Sequence, residues 1–275
     1  MSSPSTIAQF QRPFQTLAPY GAAFALGWRN AAAEGLMVLS RCALYFLICM
    51  VWNRIWLVSD LSAIDLPFAV SHQQLIQYVL VTEWVVSAVA HYYREVAETI
   101  QSGQVFCLLT RPIGYLGFTL ATNLGKMAWG LATIGGTALL CSLWFVGTLP
   151  FPAHASLLIL LSLLLGFGLY LLFQLSIGVA AAWLGNVSPL YWGLQKTLFV
   201  LGGLVVPVFF YPLWVQWLAW ATPFPAMLYL PAVAATGQTT LSIWQILGIQ
   251  LLWLAGLGLL TFRLFRRAED RLVGK

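Results

Sequence analysis

Hydrophobic residues occur along this chain in six long runs separated by shorter polar segments. A helix that crosses a lipid bilayer needs about 20 mostly apolar residues, and long apolar runs of this kind favour transmembrane helices over buried strands. We therefore predict an all-α polytopic membrane protein. Its six predicted transmembrane helices cover residues 35–57, 71–92, 115–146, 155–184, 191–206 and 243–262.

Polar residues distinguish three of these six predicted helices. The second is the least apolar, with Gln73, Gln77 and Glu83. The third is longer than a bilayer requires, so we expect its first turns, which include Lys126, to project from the membrane or to tilt. Arg41 lies near the start of the first predicted helix, where its long side chain can extend back to the membrane surface.

The most polar internal segment runs from His91 to Pro112, between the second and third predicted transmembrane helices. Arg94 and Glu98 are four residues apart and can form an ion pair on one helical face, while apolar residues line the other face. Gly103 weakens the helix near its middle, and Pro112 ends it. We predict a short, bent, amphipathic helix at the membrane surface. A plain connector between two helices is the alternative.

A second irregular stretch lies between the fifth and sixth predicted transmembrane helices. It begins with Gly203, Pro207 and Pro212 and contains three further prolines. Prolines remove backbone donors and bend helices. We therefore predict short helices that enter the outer leaflet and return, packed against protein so that freed backbone groups find partners.

The composition supports the membrane class. Hydrophobic residues make up 60% of the 275 residues, charged residues only 8%, and the mean hydropathy is +0.84, whereas soluble domains carry about 25% charged residues. The net charge of +5 comes mostly from the chain ends and one loop. It therefore indicates membrane orientation rather than nucleic-acid binding.

The basic residues predict that both chain ends are cytoplasmic. Residues 1–18 are a polar tail, residues 19–262 form the six-span domain with an interfacial helix at its start, and residues 263–275 are a basic C-terminus. With six crossings, both ends and the segment from His91 to Pro112 fall on the same side. Because positive residues favour the cytoplasmic side, we predict that this side is the cytoplasm.

The sequence offers no arrangement of residues that is typical of an enzyme. Gly125-Lys126 lacks the other residues of a phosphate-binding loop, and no serine lies in a nucleophile-elbow pattern. The three histidines are dispersed, and the four cysteines have no metal-ligand spacing. We expect a protein that is not an enzyme and has no catalytic residue, metal site or cofactor of its own.

Two motifs carry a resemblance to a known family. They are Glu98-Thr-Ile100-Gln-Ser-Gly103 running to Leu109-Thr-Arg111-Pro112, and Gly203-Leu-Val-Val-Pro207 with Tyr211-Pro212. In their order and spacing, over about residues 20–268, the chain resembles permease subunits of type-2 ATP-binding-cassette exporters, and most of all the small six-span viologen-exporter-like permeases. The resemblance implies export of an amphipathic or cationic small molecule across the bacterial cytoplasmic membrane.

The resemblance also implies the partners. Two permeases, identical or different, would form a dimer in the lipid, and two separate ATPase subunits, which bind ATP and Mg²⁺, would dock below them. The helix after the second span would then be the coupling helix that contacts the ATPase. The expected ATPase-coupling residues are Glu95, Glu98, Gln101 and Gly103, with Arg111 and Pro112 fixing the exit.

Glu83 and Trp84 form a candidate substrate pathway. A carboxylate near the middle of a transmembrane helix costs roughly 2.5 kcal/mol or more, so Glu83 should face protein or water. Trp84 could attract a flat organic cation through its ring. The other interpretation of Glu83 is a structural hydrogen bond. The alternative functions are a secondary transporter or channel subunit that uses Glu83, and a structural or assembly factor.

Overall fold

The computed structural model describes residues 18–59, 70–89, 91–105, 114–149 and 156–273, and every regular element in these ranges is helical. We number the α-helices in chain order. They are α1 (Ala18–Ala33), α2 (Gly35–Val58), α3 (His72–Ala88), α4 (Tyr92–Gln101), α5 (Tyr115–Phe145), α6 (Ser156–Val179), α7 (Ala181–Leu184), α8 (Ser188–Leu201), α9 (Leu213–Trp220), α10 (Phe224–Met227), α11 (Tyr229–Thr236) and α12 (Ile243–Val273).

Four helical segments in the described residues are long and apolar enough to cross a membrane. They are Gly35–Val58, Tyr115–Phe145, Leu157–Leu184 and Ile243–Leu272. The other two predicted spans correspond to α3, with 17 residues, and α8, with 14 residues. At 1.5 Å per residue, α3 is only about 26 Å long. The prediction of six crossings therefore stays a prediction, although the all-helical class is confirmed.

The ends of several helices differ from the predicted boundaries. Helix α3 ends at Ala88, because the chain turns there towards α4 instead of continuing to residue 92. Helix α8 begins at Ser188 and ends at Leu201, earlier than residues 191–206. Helix α12 continues without a break through the basic C-terminal residues to Val273. The predicted tail lies almost wholly outside the described residues.

Helix α3 lies at the centre of the fold. Residues from Leu75 to Glu83 are all buried, so every side of the helix is covered by protein. It packs against α2, α5, α6 and α11. A helix surrounded by protein can carry polar side chains that a lipid-facing helix cannot. This central position explains why the least apolar of the predicted spans is also the most buried.

Helix α1 packs closely on the first half of α5. A side-chain carbon at Gly27 would lie 1.9 Å from the Thr122 carbonyl oxygen, and one at Gly125 would lie 2.0 Å from the Phe24 carbonyl oxygen. Small residues allow helix backbones to approach this closely. The interfacial helix predicted over this region is therefore fixed to the turns of α5 that were expected to project from the membrane or tilt.

The proline-rich stretch folds into short helices, as predicted. The chain leaves α8 through Gly203, whose φ is +67°, and forms a 3₁₀ turn at Val208–Phe210 before α9, α10 and α11. The Tyr78 hydroxyl donates to the Gly203 carbonyl, and Thr82 donates to the Leu204 carbonyl. The freed carbonyls thus find partners on α3. The location of this stretch in the outer leaflet stays a prediction.

Helix α9 carries the apolar surface of this stretch. Trp214 and Trp217 are 71% and 77% exposed, beside exposed Leu213 and Leu218. Tryptophan is enriched where a membrane meets water. In contrast, α10 and α11 are almost wholly buried.

The α1–α5 contact generates a prediction. Replacing Gly27 by alanine should destabilise the protein by about 1–3 kcal/mol, because the added methyl group overlaps the α5 backbone. The free energy of unfolding can be measured by denaturation of the purified protein in mixed detergent micelles.

Gly21 provides the matched control on the same helix, because a side-chain carbon there meets nothing within 4 Å. Gly21→Ala should leave stability unchanged or raise it by up to about 1 kcal/mol, since alanine favours the helix. Equal stability of the two variants would show that α1 is not held on α5 in this way.

Candidate functional site

Helix α4 is the amphipathic helix that the sequence predicts. Its buried face consists of Tyr92, Tyr93, Val96, Ala97 and Ile100. The opposite face carries exposed charged and polar side chains. These are Arg94, Glu95, Glu98 and Gln101.

The end of α4 differs from the prediction. Gly103 was expected to weaken the middle of a longer helix, but the helix ends at Gln101 and Gly103 lies just beyond it with φ +74°. The Gly103 N–H donates to the Ile100 carbonyl at 3.2 Å. Glycine is favoured after a helix end because it adopts positive φ without strain. Arg111 and Pro112 lie outside the described residues.

The ion pair of α4 also differs from the prediction. Arg94 and Glu98 form no ion pair in the described structure, and Glu95 instead pairs with Lys126 of α5. Lys126 is mostly buried, with 16% of its side chain exposed. The pair therefore ties α4 to the same part of α5 that holds α1.

A loop distant in sequence completes the exposed surface. The Gln101 side-chain amide donates to the Gly185 carbonyl, which follows the end of α7. Asn186 accepts a hydrogen bond from the Ser188 N–H at 3.0 Å, and this turn leads into α8. A cleft of about 190 Å³ lies between the two segments. We call α4 together with residues 185–188 the docking surface.

The base of the docking surface is rigidly packed. The rings of Tyr93 and Tyr191 stack with their centroids 3.8 Å apart, which joins α4 to α8. The Gln195 amide donates to the Tyr191 hydroxyl at 2.6 Å. On the α6 side, a side-chain carbon at Gly178 would lie 2.7 Å from the Tyr93 carbonyl oxygen. These contacts join α4 to α6 and α8, and the Glu95–Lys126 pair joins it to α5.

The substrate-pathway residues lie elsewhere, inside the bundle. Glu83 is 6% exposed, which agrees with the expectation that it faces protein or water rather than lipid. In the described residues its carboxylate has no hydrogen bond or ion pair, although it lies within electrostatic range of Tyr45 and Tyr170. Trp84 packs against Gly135 and forms an edge contact with Phe167, with ring centroids 5.8 Å apart.

Comparison with known families decides the class of protein. The model of the ABC-2 family transporter proteins matches residues 38–275. The chain belongs to this family. A search of curated proteins found no match. Helix α1 lies outside the matched residues.

Membership of the ABC-2 family establishes the general role of the chain. ABC-2 proteins are membrane permease components of transporters and act with a separate ATP-binding-cassette ATPase subunit. The chain is thus an integral membrane protein of a transport system. In the described residues no group of three or more histidine, cysteine, aspartate or glutamate side chains could hold a metal ion.

Sequence reasoning gave no role to Asn186 and Ser188, which belong to the docking surface, or to the pairing of Lys126 with Glu95. The turn chemistry was visible in the sequence, since an asparagine two residues before a backbone N–H commonly forms such a turn. The hydrogen bond from Gln101 to Gly185, at the start of this turn, was not visible in the sequence, because the two residues are 84 positions apart.

The Glu95–Lys126 pair generates a prediction for α4. Lys126→Glu places two acidic groups together and should loosen α4, which raises the amide hydrogen exchange of residues 92–101 in the purified protein. Mass spectrometry of the peptic peptides measures this exchange.

The charge-exchanged double variant Glu95→Lys, Lys126→Glu is the control, because it restores an ion pair of opposite polarity. It should return exchange close to that of the unaltered protein. Unchanged exchange in the single variant would mean that this pair does not hold α4 in place.

Proposed function

We propose that this ABC-2 protein is a permease subunit of an exporter in the bacterial cytoplasmic membrane, with six crossings and cytoplasmic termini. Helix α4 is its coupling helix, and the docking surface receives a separate ATPase subunit. The single observation that supports this proposal best is that α4 combines one exposed polar face with a base that packs against α6 and α7 and is joined to α8 by the stacked rings of Tyr93 and Tyr191. Such a helix can transmit force rather than bend under it.

The charges of the docking surface suit a protein partner. Arg94 and Glu98 are exposed and carry opposite charges without pairing with each other. They are therefore available for complementary charges on an ATPase, which favour correct docking and fast association. The Gln101 amide is also bonded to Gly185, and this bond joins the two halves of the surface.

The wider assembly follows from the same proposal. Two permease chains, identical or different, enclose the transport path, and two ATPase subunits bind ATP and Mg²⁺ on the cytoplasmic side. The short helices from Gly203 to Thr236 lie in the outer leaflet, where exposed Trp214 and Trp217 of α9 meet the membrane interface.

We propose further that the substrate is an amphipathic or cationic, viologen-like small molecule and that Glu83 attracts it. A buried carboxylate without a partner in the described residues is costly to keep inside a membrane protein. A positively charged substrate would supply the missing partner. Trp84, beside it in sequence, adds an aromatic ring suited to a flat organic cation.

A double variant tests the docking surface. Glu98→Ala with Gln101→Ala should lower export of ethidium, a flat fluorescent cation, from inverted or reconstituted vesicles by roughly tenfold or more, as expected for loss of about 1.4 kcal/mol of coupling. Membrane insertion should remain intact, because neither side chain lies on the buried face of α4.

Asp270→Ala serves as the control, because it removes an exposed acidic side chain outside the docking surface. It should leave export unchanged. Export at the full rate by the double variant would show that the ATPase docks elsewhere.

A second variant tests the substrate pathway. Glu83→Gln keeps the size of the side chain and its hydrogen-bonding groups but removes the charge. We expect ethidium export to fall roughly tenfold, with export of a neutral dye such as Nile red and assembly with the ATPase unaffected.

Thr82→Val on the same helix is the comparison, because it removes a buried hydroxyl that donates to Leu204 without altering charge. It should affect both dyes equally. Unchanged ethidium export by a fully assembled Glu83→Gln complex would leave Glu83 with a structural role only.

A further inference from the structure

Arg41 of α2 is bonded to the end of α3. Its guanidinium donates to the Ser87 carbonyl, in the last turn of α3. The expectation that its side chain extends back to the membrane surface stays a prediction. The side chain is partly buried between the two helices.

This contact satisfies a specific need of α3. The last four carbonyls of a helix have no partner within the helix. After Ala88 the chain becomes extended at Val89, with φ −94° and ψ 103°, so the helix provides no further N–H groups. Positive charge is favourable at a helix C-terminus. Arg41 supplies both a donor and a positive charge at this point.

Helix α5 holds the same end from another side. A side-chain carbon at Gly130 would lie 2.2 Å from the Ala88 carbonyl oxygen, so the α5 backbone touches the end of α3 directly. Only residues 89–91 separate this point from α4, which begins with a hydrogen bond from the Arg94 N–H to the His91 carbonyl at 3.0 Å. We call the described residues on either side of this connection, 87–89 and 91, the elbow.

Helix α2 is the peripheral element attached to this elbow. Only 11% of the residues in the most apolar stretch of α2 are buried, whereas α3 is surrounded by protein. Apart from Arg41, the Tyr45 hydroxyl joins α2 to α3 by donating to the Leu80 carbonyl at 2.7 Å. The two donors lie one turn apart on α2, but only Arg41 reaches the elbow.

We infer that Arg41 is a positioning residue that links displacement of α4 to displacement of α2, through the elbow. This inference rests on the proposed role of α4 as the coupling helix. Residues 89–91 are the direct path along the chain by which force applied by an ATPase to the docking surface reaches α3. Arg41 is the charged contact that carries it on to α2, most of whose residues are not buried in the described structure.

The test compares Arg41→Gln, Arg41→Lys and Tyr45→Phe in the complete complex with its co-purified ATPase. Proteoliposomes report both ATP hydrolysis and ethidium export. Hydrogen bonds of charged groups are the stronger class, so Arg41→Gln should lower the ethidium exported per ATP by about tenfold, and Arg41→Lys by about threefold. Tyr45→Phe removes a similar bond away from the elbow and should change this ratio less than about twofold.

The KM for ATP separates this role from general damage. It should be the same in all three variants, because the nucleotide site is on another subunit and only transmission is lost. An Arg41 effect no larger than that of Tyr45→Phe, or a loss of ATP hydrolysis in proportion to export, would overturn the inference. If Arg41→Gln yields no protein, Arg41→Lys decides by the same criteria.

Hydrogen exchange on the isolated permease provides a second measurement. Arg41→Gln should raise exchange at the amides of residues 91–94, and Tyr45→Phe should not. Equal exchange in the two variants would overturn the role of Arg41 even where the complex is active. If the unaltered complex does not couple ATP hydrolysis to export, the proposed function fails, and the inference fails with it.

Discussion

The need to pair backbone carbonyls at helix ends away from water constrains the whole structure. Each interrupted helix leaves carbonyls without intrahelical donors, and lipid supplies none. A side chain from another helix fills this need at two breaks. Arg41 donates to Ser87, and Tyr78 donates to Gly203. The chain can therefore bend at these two points without leaving these carbonyls unpaired.

Helix α3 connects these breaks because its side chains donate hydrogen bonds to one break and its own C-terminal carbonyl accepts a hydrogen bond at the other. Its Tyr78 and Thr82 support the stretch after α8, whereas its own C-terminus depends on Arg41 of α2. Polar side chains are tolerated on α3 because protein covers all its sides. The helix thus joins the proposed outer-leaflet stretch at one end to the proposed coupling helix at the other, with Glu83 between them.

The proposed role of the docking surface rests on contacts between α4 and segments distant in sequence, because α4 alone does not indicate a function. An amphipathic helix between two spans is an ordinary connector in many membrane proteins. Helix α4 differs because Glu95 is tied to Lys126, Tyr93 is stacked on Tyr191, and Gln101 is bonded to Gly185. These contacts make α4 part of a rigid base, which is what a subunit that receives force from an ATPase requires.

The sequence by itself determined the membrane class, the apolar helices, the amphipathic face of α4 and the interrupted stretch after Gly203, because hydropathy, helical period and proline placement are local properties. The tertiary structure alone decided where α3 and α4 end, that Glu95 pairs with Lys126 while Arg94 and Glu98 do not pair with each other, and that Arg41 bonds to Ser87. These outcomes depend on which donor or charged group lies nearest in the folded chain. The residues that pair are 31 to 84 positions apart in sequence, and only the packing of the helices brings them together.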